Sequence, residues 1–146
     1  MGALQITTDK DRLDIGLIHC FLCDEAYWSR GIPREVVERA IEGSLCFGGC
    51  LDGRQVAFAR VVTDGATFGY LADVFVVPEH RGQGHARTLM AAVMAHPRLQ
   101  GLRRFTLATR DAQGLYASFG FAAPLRPETL MEKFDPDIYA KAADTP

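Results

Sequence analysis

Apolar residues recur along the chain with two different spacings, one typical of helices and the other of strands. Residues 4–8 predict a short first strand. Asp14 can cap the helix that follows, and Pro33 suits the first turn of a second helix, which ends near Gly43. The first predicted helix carries four apolar or aromatic side chains at spacings close to helical: Ile15, Ile18, Leu22 and Tyr27.

The middle of the chain has the pattern of an antiparallel meander. Strands are predicted over residues 45–51, 55–63 and 67–77. An Asp-Gly pair separates each strand from the next, at positions 52–53 and 64–65. Because Asp-Gly between apolar runs is a strong hairpin signal, neighbouring strands are expected to pair antiparallel.

The last third of the chain adds two helices and two strands. The pattern predicts a helix over residues 84–95, a strand over 104–109, and a short helix that Asp111 caps and Gly120 ends. Residues 130–134 predict a final strand. The order β-α-α-β-β-β-α-β-α-β is typical of an α+β fold around a mixed sheet, and the whole chain, residues 1–146, is expected to form a single domain.

Composition and charge narrow the class of protein. The 146 residues are 48% apolar, which is ordinary for a globular domain, and the formal net charge is −2. That charge excludes a global basic field that would attract nucleic acid or an anionic membrane. The N-terminus lacks the apolar core of a signal peptide, and no apolar run reaches the ~18 residues of a membrane span. We therefore expect a cytoplasmic protein.

Four cysteines raise the question of a metal or redox site. Cys20 and Cys23 have the Cys-x-x-Cys spacing of such sites, but they fall inside a helical pattern rather than a turn. Cys46 and Cys50 lie in a predicted strand, where four residues separate their Cα atoms by about 13 Å. We expect reduced, mostly buried thiols and no bound metal.

The most informative stretch lies where the third predicted strand meets the third helix. There Arg81 is followed by Gly82, Gly84 and Ala86. The first amides of a helix have no internal partners, the helix dipole places positive charge there, and small side chains let a ligand approach the backbone. The stretch therefore predicts a site for a phosphate or pyrophosphate. The stretch is not a P-loop, because no lysine follows Gly84. It is not a dinucleotide-binding fingerprint either, because Arg87 occupies a position where that motif requires a small residue.

The arrangement Arg81-x-x-Gly84-x-Ala86 resembles the Arg/Gln-x-x-Gly-x-Gly/Ala motif of the GCN5-related N-acetyltransferase (GNAT) family. The sequence Leu-Tyr-Ala-Ser-Phe-Gly-Phe at 115–121 resembles the later helix–turn–strand signature of the same family. The resemblance extends loosely over residues 4–134. It implies the GNAT fold, a mostly antiparallel sheet flanked by helices, in which the strands at 67–77 and 104–109 splay apart around acetyl-coenzyme A.

The resemblance also implies which residues contact this cofactor, with no metal involved. The loop that would bind the pyrophosphate consists of Arg81, Gly82, Gln83, Gly84, His85, Ala86 and Arg87. The backbone of Val74, Phe75 and Val76 would pair with the pantetheine arm like an additional strand.

Two residues are candidates for proton transfer. Tyr116 aligns with the tyrosine that in many family members protonates the coenzyme A thiolate; the alternative is a tyrosine that only packs. Asp73 lies inside an apolar run, where a carboxylate is costly unless it is exposed, paired or functional. We predict that Asp73 is the base that accepts the amine proton. The alternative is a solvent-facing strand residue paired with a basic neighbour.

The acceptor is expected near Tyr27 and Trp28, close to the helix–helix turn that in this family often lines the acceptor pocket. A tryptophan can stack on a cationic or aromatic amine, although a half-buried aromatic that closes the core is the alternative. The implied activity is direct acetyl transfer from acetyl-coenzyme A to a small-molecule primary amine in a ternary complex. A coenzyme A sensor without catalysis and a protein or peptide acetyltransferase stay open as alternatives. A homodimer is also open, because many relatives form dimers.

Overall fold

A five-stranded sheet forms the centre of the chain in this computed structural model, which describes residues 2–143, with side chains described up to residue 140. The strands are β1 Gln5–Thr7, β2 Leu45–Leu51, β3 Arg54–Thr63, β4 Phe68–Val76 and β5 Arg104–Leu107. They lie in sequence order across the sheet. The first four pair antiparallel and β5 pairs parallel with β4, so the predicted α+β fold with a mixed, mostly antiparallel sheet is confirmed.

Five α-helices accompany the sheet in the described residues. They are α1 Ile15–Asp24, α2 Arg34–Glu42, α3 His85–Ala95, α4 Gln113–Ala117 and α5 Ile138–Ala143. As predicted, Asp14 caps α1, and its carboxylate accepts a hydrogen bond of 3.0 Å from the Leu17 amide. The Phe21 ring of α1 stacks on Phe75 of β4 with 4.0 Å between centroids, while α3 packs on β2, β3 and β4. The deepest apolar side chains are Ile18, Leu22, Val37, Phe47, Phe58, Val61, Leu89, Met90 and Val93.

Two irregularities of β4 open a cleft beside it. Phe75 pairs with Phe58 and Ala72 with Arg60, so two residues of β4 oppose one residue of β3 in a β-bulge. Asp73 lies in the bulge with a left-handed backbone, φ 55°. Along the opposite edge of β4, β5 ends at Leu107, the residue that pairs with Leu71. The second half of β4 therefore has no strand on that edge, as the splayed arrangement predicted.

The predicted strand at residues 130–134 is wrong for the described chain. This segment forms no strand, and Met131 and Phe134 expose 98% and 71% of their surface. A strand needs a neighbour for its backbone groups, and no described residue of the same chain supplies one here. The segment is preceded by a single 3-10 turn, Pro127–Thr129, and followed by α5, which was not predicted.

Three smaller predictions also need correction. Helix α1 ends at Asp24 and does not reach Tyr27, because Ser29 folds back and donates its hydroxyl to the Leu22 carbonyl at 2.8 Å. Asp111 does not cap α4; the Ala112 amide instead donates to the Thr109 hydroxyl at 3.1 Å. The prediction of mostly buried cysteines is wrong: Cys46 is buried, but Cys23 and Cys50 are partly exposed and Cys20 is exposed.

The four cysteines are free, and Cys46 is buried. Burial raises the pKa of the Cys46 thiol to about 11, which makes it a poor nucleophile. Among the described residues, no group of three or more His, Cys, Asp or Glu side chains could hold a metal ion. No described helix combines the length and apolar character needed to cross a membrane.

Candidate active site

The turn between β4 and α3 presents a row of free backbone amides. Gly82 and Gly84 have left-handed backbones, φ 75° and 81°, and α3 begins at His85 directly after them. The amides of residues 82–87 donate to no other described residue; the first bonded amide of the helix is that of Thr88, which donates to the Gly84 carbonyl. Glycine makes this turn without strain, and the helix dipole adds positive charge, so the row can hold an anion.

Basic side chains frame this turn. The Arg81 guanidinium donates from Nε to the Val76 carbonyl at 2.9 Å, which fixes the loop against the end of β4. Arg87 reaches across to α4 and donates to the Ser118 hydroxyl at 3.0 Å. The His85 ring lies 3.1 Å from the Gln83 amide oxygen. Both arginines line the cavity that borders the amide row, and their positive charge would favour a polyanion there.

A cavity of about 550 Å³ extends from the amide row along the free edge of β4. Val74, Phe75 and Val76 line one wall, and the helices supply the others. The lining, which runs from the amide row to Val74 of β4, fits an extended ligand with one anionic end. All residues predicted to contact the cofactor border this cavity except Gln83, which belongs to the amide row.

A second cavity of about 440 Å³ adjoins the first at the splayed ends of β4 and β5. Four aromatic side chains line it: Tyr27, Trp28, Tyr70 and Tyr116. The two cavities share Tyr27, Trp28, Val74, Asp111, Ala112 and Tyr116. A ligand in one cavity could therefore contact a ligand in the other at this common boundary.

Tyr116 lies on this boundary. It belongs to α4, and only 9% of its surface is exposed. Burial raises the pKa of Tyr116 above its usual 10, and the charges of Tyr27 and Asp111 raise it further. The phenol is therefore protonated throughout the neutral range and can donate a proton.

Asp73 borders the second cavity and uses both of its carboxylate oxygens. Oδ2 accepts from the Arg60 Nε at 2.8 Å, and Oδ1 accepts from the Trp28 indole at 2.8 Å. Arg60 also donates to the Ser44 hydroxyl at 3.1 Å. The Arg60 and Asp73 side chains are 18% and 11% exposed, so the pair is largely shielded from water. Asp73 thus has the basic partner that the alternative interpretation required, although it does not face solvent.

The aromatic wall is held by a contact between the α1–α2 loop and the segment after β5. The Arg110 guanidinium lies 3.7 Å above the Tyr27 ring, and the Arg110 amide donates to the Tyr27 hydroxyl at 3.3 Å. The Trp28 ring meets Tyr27 edge to face at 5.1 Å. Both rings are 43% exposed, so they form a wall of the cavity rather than a closure of the core.

The structure brings together Tyr27, Trp28, Asp73 and Tyr116 around one cavity, while the loop at 81–87 borders the other. Their catalytic and binding roles stay predictions. Sequence reasoning missed Arg60, which fixes Asp73. Arg60 could have been found because it is a single charge inside the apolar run at 56–62. Burying that charge costs free energy, as burying the carboxylate of Asp73 does, unless the two are paired.

Comparisons with known proteins agree with this geometry. Residues 42–123 match the family model of the acetyltransferase (GNAT) domain. A crystal structure of a GNAT-family protein from Xanthomonas campestris pv. campestris, described as an acetyltransferase, is 60% identical to this chain. The match covers 96% of this chain and 99% of that one, with a TM-score of 0.93.

Two curated relatives are more distant. A protein of Gibberella zeae named as an acetyltransferase is 32% identical over 137 residues, which cover 79% of this chain and 76% of the relative. Serotonin N-acetyltransferase 2, chloroplastic, of Oryza sativa subsp. japonica is 33% identical over 119 residues. That match covers 75% of this chain and 57% of the rice protein.

Proposed function

The chain belongs to the GNAT acetyltransferase family, and we propose that it transfers the acetyl group of acetyl-coenzyme A to the primary amine of a small molecule. The observation that carries this proposal is the position of Tyr116, which lines both cavities. A donor in one cavity and an acceptor in the other would react beside a protonated phenol. We propose direct transfer in a ternary complex, since a donor and an acceptor would both border the same residue.

The residues present fit acetyl-coenzyme A. The free amides of residues 82–87 and the guanidinium of Arg81 would hold its pyrophosphate, and the free edge of β4 at Val74, Phe75 and Val76 would pair with the pantetheine amides. When bound, the cofactor supplies the activated thioester. Arg87, which donates to Ser118 and lines the same cavity, would add positive charge toward a phosphate.

Proton transfer is the chemistry that the protein must supply. The amine nitrogen forms a bond to the acetyl carbon as the carbon–sulfur bond breaks, so the amine loses a proton and the sulfur needs one. Tyr116 is the proposed donor to the sulfur, since its raised pKa keeps the phenol protonated. Asp73 is the proposed acceptor of the amine proton, through lone pairs that Arg60 and Trp28 leave free.

The lining of the acceptor cavity favours one class of amine. Its aromatic side chains offer flat apolar surfaces, and the carboxylate of Asp73 attracts an ammonium group. We propose an amine joined by a short chain to an aromatic ring. The name of the rice relative, which specifies serotonin, supports the same class.

We also propose a cytoplasmic location for this activity. The support is chemical: the four cysteines are free, and thiols stay reduced in the reducing interior of the cell. We propose that residues 1–146 form a single domain, since both cavities are built on the same sheet and its flanking helices.

The test of the proposed function has two stages. Calorimetric titration with acetyl-coenzyme A comes first, and release of the coenzyme A thiol is then measured with tryptamine, serotonin, an aliphatic diamine, an aminoglycoside and a lysine peptide. We expect binding, followed by the fastest turnover with the two indole amines. Binding without turnover of any amine would favour the sensor alternative, turnover of the peptide alone would favour a protein acetyltransferase, and no binding by the folded protein would exclude the proposal.

Two substitutions separate the proposed roles of Asp73. Trp28→Phe keeps the carboxylate but removes the indole hydrogen bond, and we expect about a tenfold rise in the acceptor KM with kcat unchanged. Asp73→Asn keeps an oxygen for the indole but removes the proposed base, and we expect about a hundredfold loss of kcat/KM at neutral pH, the lower end of the range for a lost general base.

The separate values of kcat and KM decide between the two roles. If Asp73 accepts the proton, Asp73→Asn should lower kcat at saturating acceptor, while Trp28→Phe should leave kcat unchanged. If both variants keep the wild-type kcat and change only KM, Asp73 positions Trp28 and does not accept the proton. Thermal unfolding of both variants serves as the folding control, because Asp73→Asn leaves a largely shielded Arg60 without its ionic partner.

A further inference from the structure

The acceptor cavity contains one cationic side chain that has no anionic partner. Three charged residues line this cavity: Asp73, Arg110 and Asp111. Asp73 is paired with Arg60 at 2.8 Å. Arg110 forms no ion pair within the described part of the chain, not even with Asp111, its neighbour in sequence. The positive charge of Arg110 is therefore available to a ligand.

The Arg110 side chain is held in place without using its hydrogen-bond donors on an oxygen. Its guanidinium carbon lies 3.7 Å from the centroid of the Tyr27 ring, a cation–π contact. The Tyr27 hydroxyl accepts from the backbone amide of Arg110 and not from its side chain. No described residue accepts a hydrogen bond from the guanidinium. Since a guanidinium carries its N–H groups in a rigid fork, Arg110 can bind both oxygens of one carboxylate.

The two unpaired charges of the acceptor cavity lie at different distances from the cofactor cavity. Asp111 lines both cavities, and its charge contributes to the raised pKa of Tyr116. Arg110 lines the acceptor cavity alone. Negative charge therefore lies toward the boundary where the acetyl group would be transferred, and positive charge lies away from it. A molecule that carries an ammonium group and a carboxylate is complementary to this order.

We propose that the acceptor carries a carboxylate beside its amine, as an aromatic α-amino acid does, and that Arg110 binds this carboxylate. The inference rests on the proposed function and narrows its acceptor from an aromatic amine to an aromatic amino acid. The ring would lie against the aromatic wall, and the ammonium group would point toward Asp73 and Asp111 at the boundary.

The reaction keeps the balance of the proposed acetyl transfer. The ammonium group first loses one proton to water and becomes the free amine. Its nitrogen then forms a bond to the acetyl carbon as the carbon–sulfur bond breaks, the amine gives up a second proton, and the sulfur gains one. The products are an N-acetyl amino acid, the coenzyme A thiol and one proton. The carboxylate takes no part in these steps, so Arg110 acts in binding and selection.

Three indole compounds separate the charge of the acceptor from its size. L-Tryptophan carries the carboxylate, L-tryptophanamide has nearly the same shape without the charge, and tryptamine lacks the group. Release of the coenzyme A thiol gives kcat/KM for each compound. We expect the wild type to prefer tryptophan to both others by at least about tenfold, the effect of a hydrogen bond to a charged group.

Arg110→Gln tests whether this preference belongs to Arg110. The variant removes the charge and keeps the backbone amide that donates to Tyr27. We expect kcat/KM for tryptophan to fall about tenfold, through KM, while the value for tryptamine stays near that of the wild type. Arg103→Gln is the matched control, because Arg103 is an exposed arginine that lines neither cavity. It should leave the preference unchanged.

The outcomes distinguish this inference from the proposed function. Wild-type turnover of tryptamine or of the amide that equals turnover of tryptophan would overturn the inference and leave the proposed aromatic amine intact. A preference for tryptophan that Arg110→Gln retains would also overturn it. If Arg110→Gln lowers turnover of tryptophan and tryptamine equally, Arg110 only supports the Tyr27 ring and the inference is wrong. No turnover of any of the three compounds would refute the proposed aromatic acceptor itself, and the inference with it.

Discussion

Replacing Tyr116 with phenylalanine is expected to lower kcat by about 10²- to 10⁴-fold, the range typical of a lost general acid. The change removes one oxygen atom and keeps the ring, so the packing of this buried side chain beside Phe121 is preserved. Since the phenol is proposed to act in the departure of the sulfur and not in cofactor binding, the Kd for acetyl-coenzyme A should stay near the wild-type value. Steady-state kinetics and calorimetry measure the two quantities.

The proposed role of Tyr116 also predicts how kcat depends on pH. A general acid acts in its protonated form, and the raised pKa of Tyr116 extends that form to higher pH. The alkaline fall of kcat should therefore lie above about 10, the ordinary tyrosine value, and should be absent from Tyr116→Phe. Tyr70→Phe is the matched control: Tyr70 lines the acceptor cavity but not the cofactor cavity, so its loss should leave kcat nearly unchanged. Wild-type kcat in Tyr116→Phe would make Tyr116 a packing residue.

Replacing Gly84 with glutamate is expected to weaken acetyl-coenzyme A binding by at least about 100-fold, the effect of losing charge-assisted hydrogen bonds and adding a like charge. Gly84 is the residue directly before α3, in the middle of the free amide row. A glutamate there adds a carboxylate where the pyrophosphate is proposed to lie. Calorimetric titration of the folded variant measures the loss.

Gly101→Glu is the control for backbone strain. Gly101 has φ 71°, close to the 81° of Gly84, and a Cβ would meet open space at both positions. Each substitution therefore places a glutamate in a left-handed backbone, at a similar cost in stability. If both variants lose stability equally and only Gly84→Glu loses cofactor affinity, the amide row is the binding site. Equal affinity for the cofactor in Gly84→Glu and the wild type would leave the turn a structural element.

The parts of the fold that local sequence predicted are those that local interactions determine. The Asp-Gly turns, the Asp14 cap and the Gly82–Gly84 turn each depend on residues within a few positions, and all appear where they were expected. The splaying of β4 and β5 was not predicted from such signals; it followed from the resemblance to a family.

The parts that the sequence did not reveal depend on distant partners. Asp73 meets Trp28 across 45 positions of sequence, and Arg60 faces it because a bulge shifts the register of β4 against β3. A strand pattern alone specifies alternation but not an inserted residue, so the pairing could not be derived. Residues 130–134 show the same dependence, since their pattern is that of a strand and their single chain gives them no neighbour.

The Trp28 side chain has an optical consequence. It is the only tryptophan of the 146 residues, it borders both cavities, and its indole N–H is fixed to one carboxylate. Indole emission from the protein therefore originates at a single point between the two proposed ligands. Its intensity and wavelength can report the arrival of either ligand in the unlabelled protein, so the order in which donor and acceptor bind can be followed by stopped-flow fluorescence without a dye or an engineered probe.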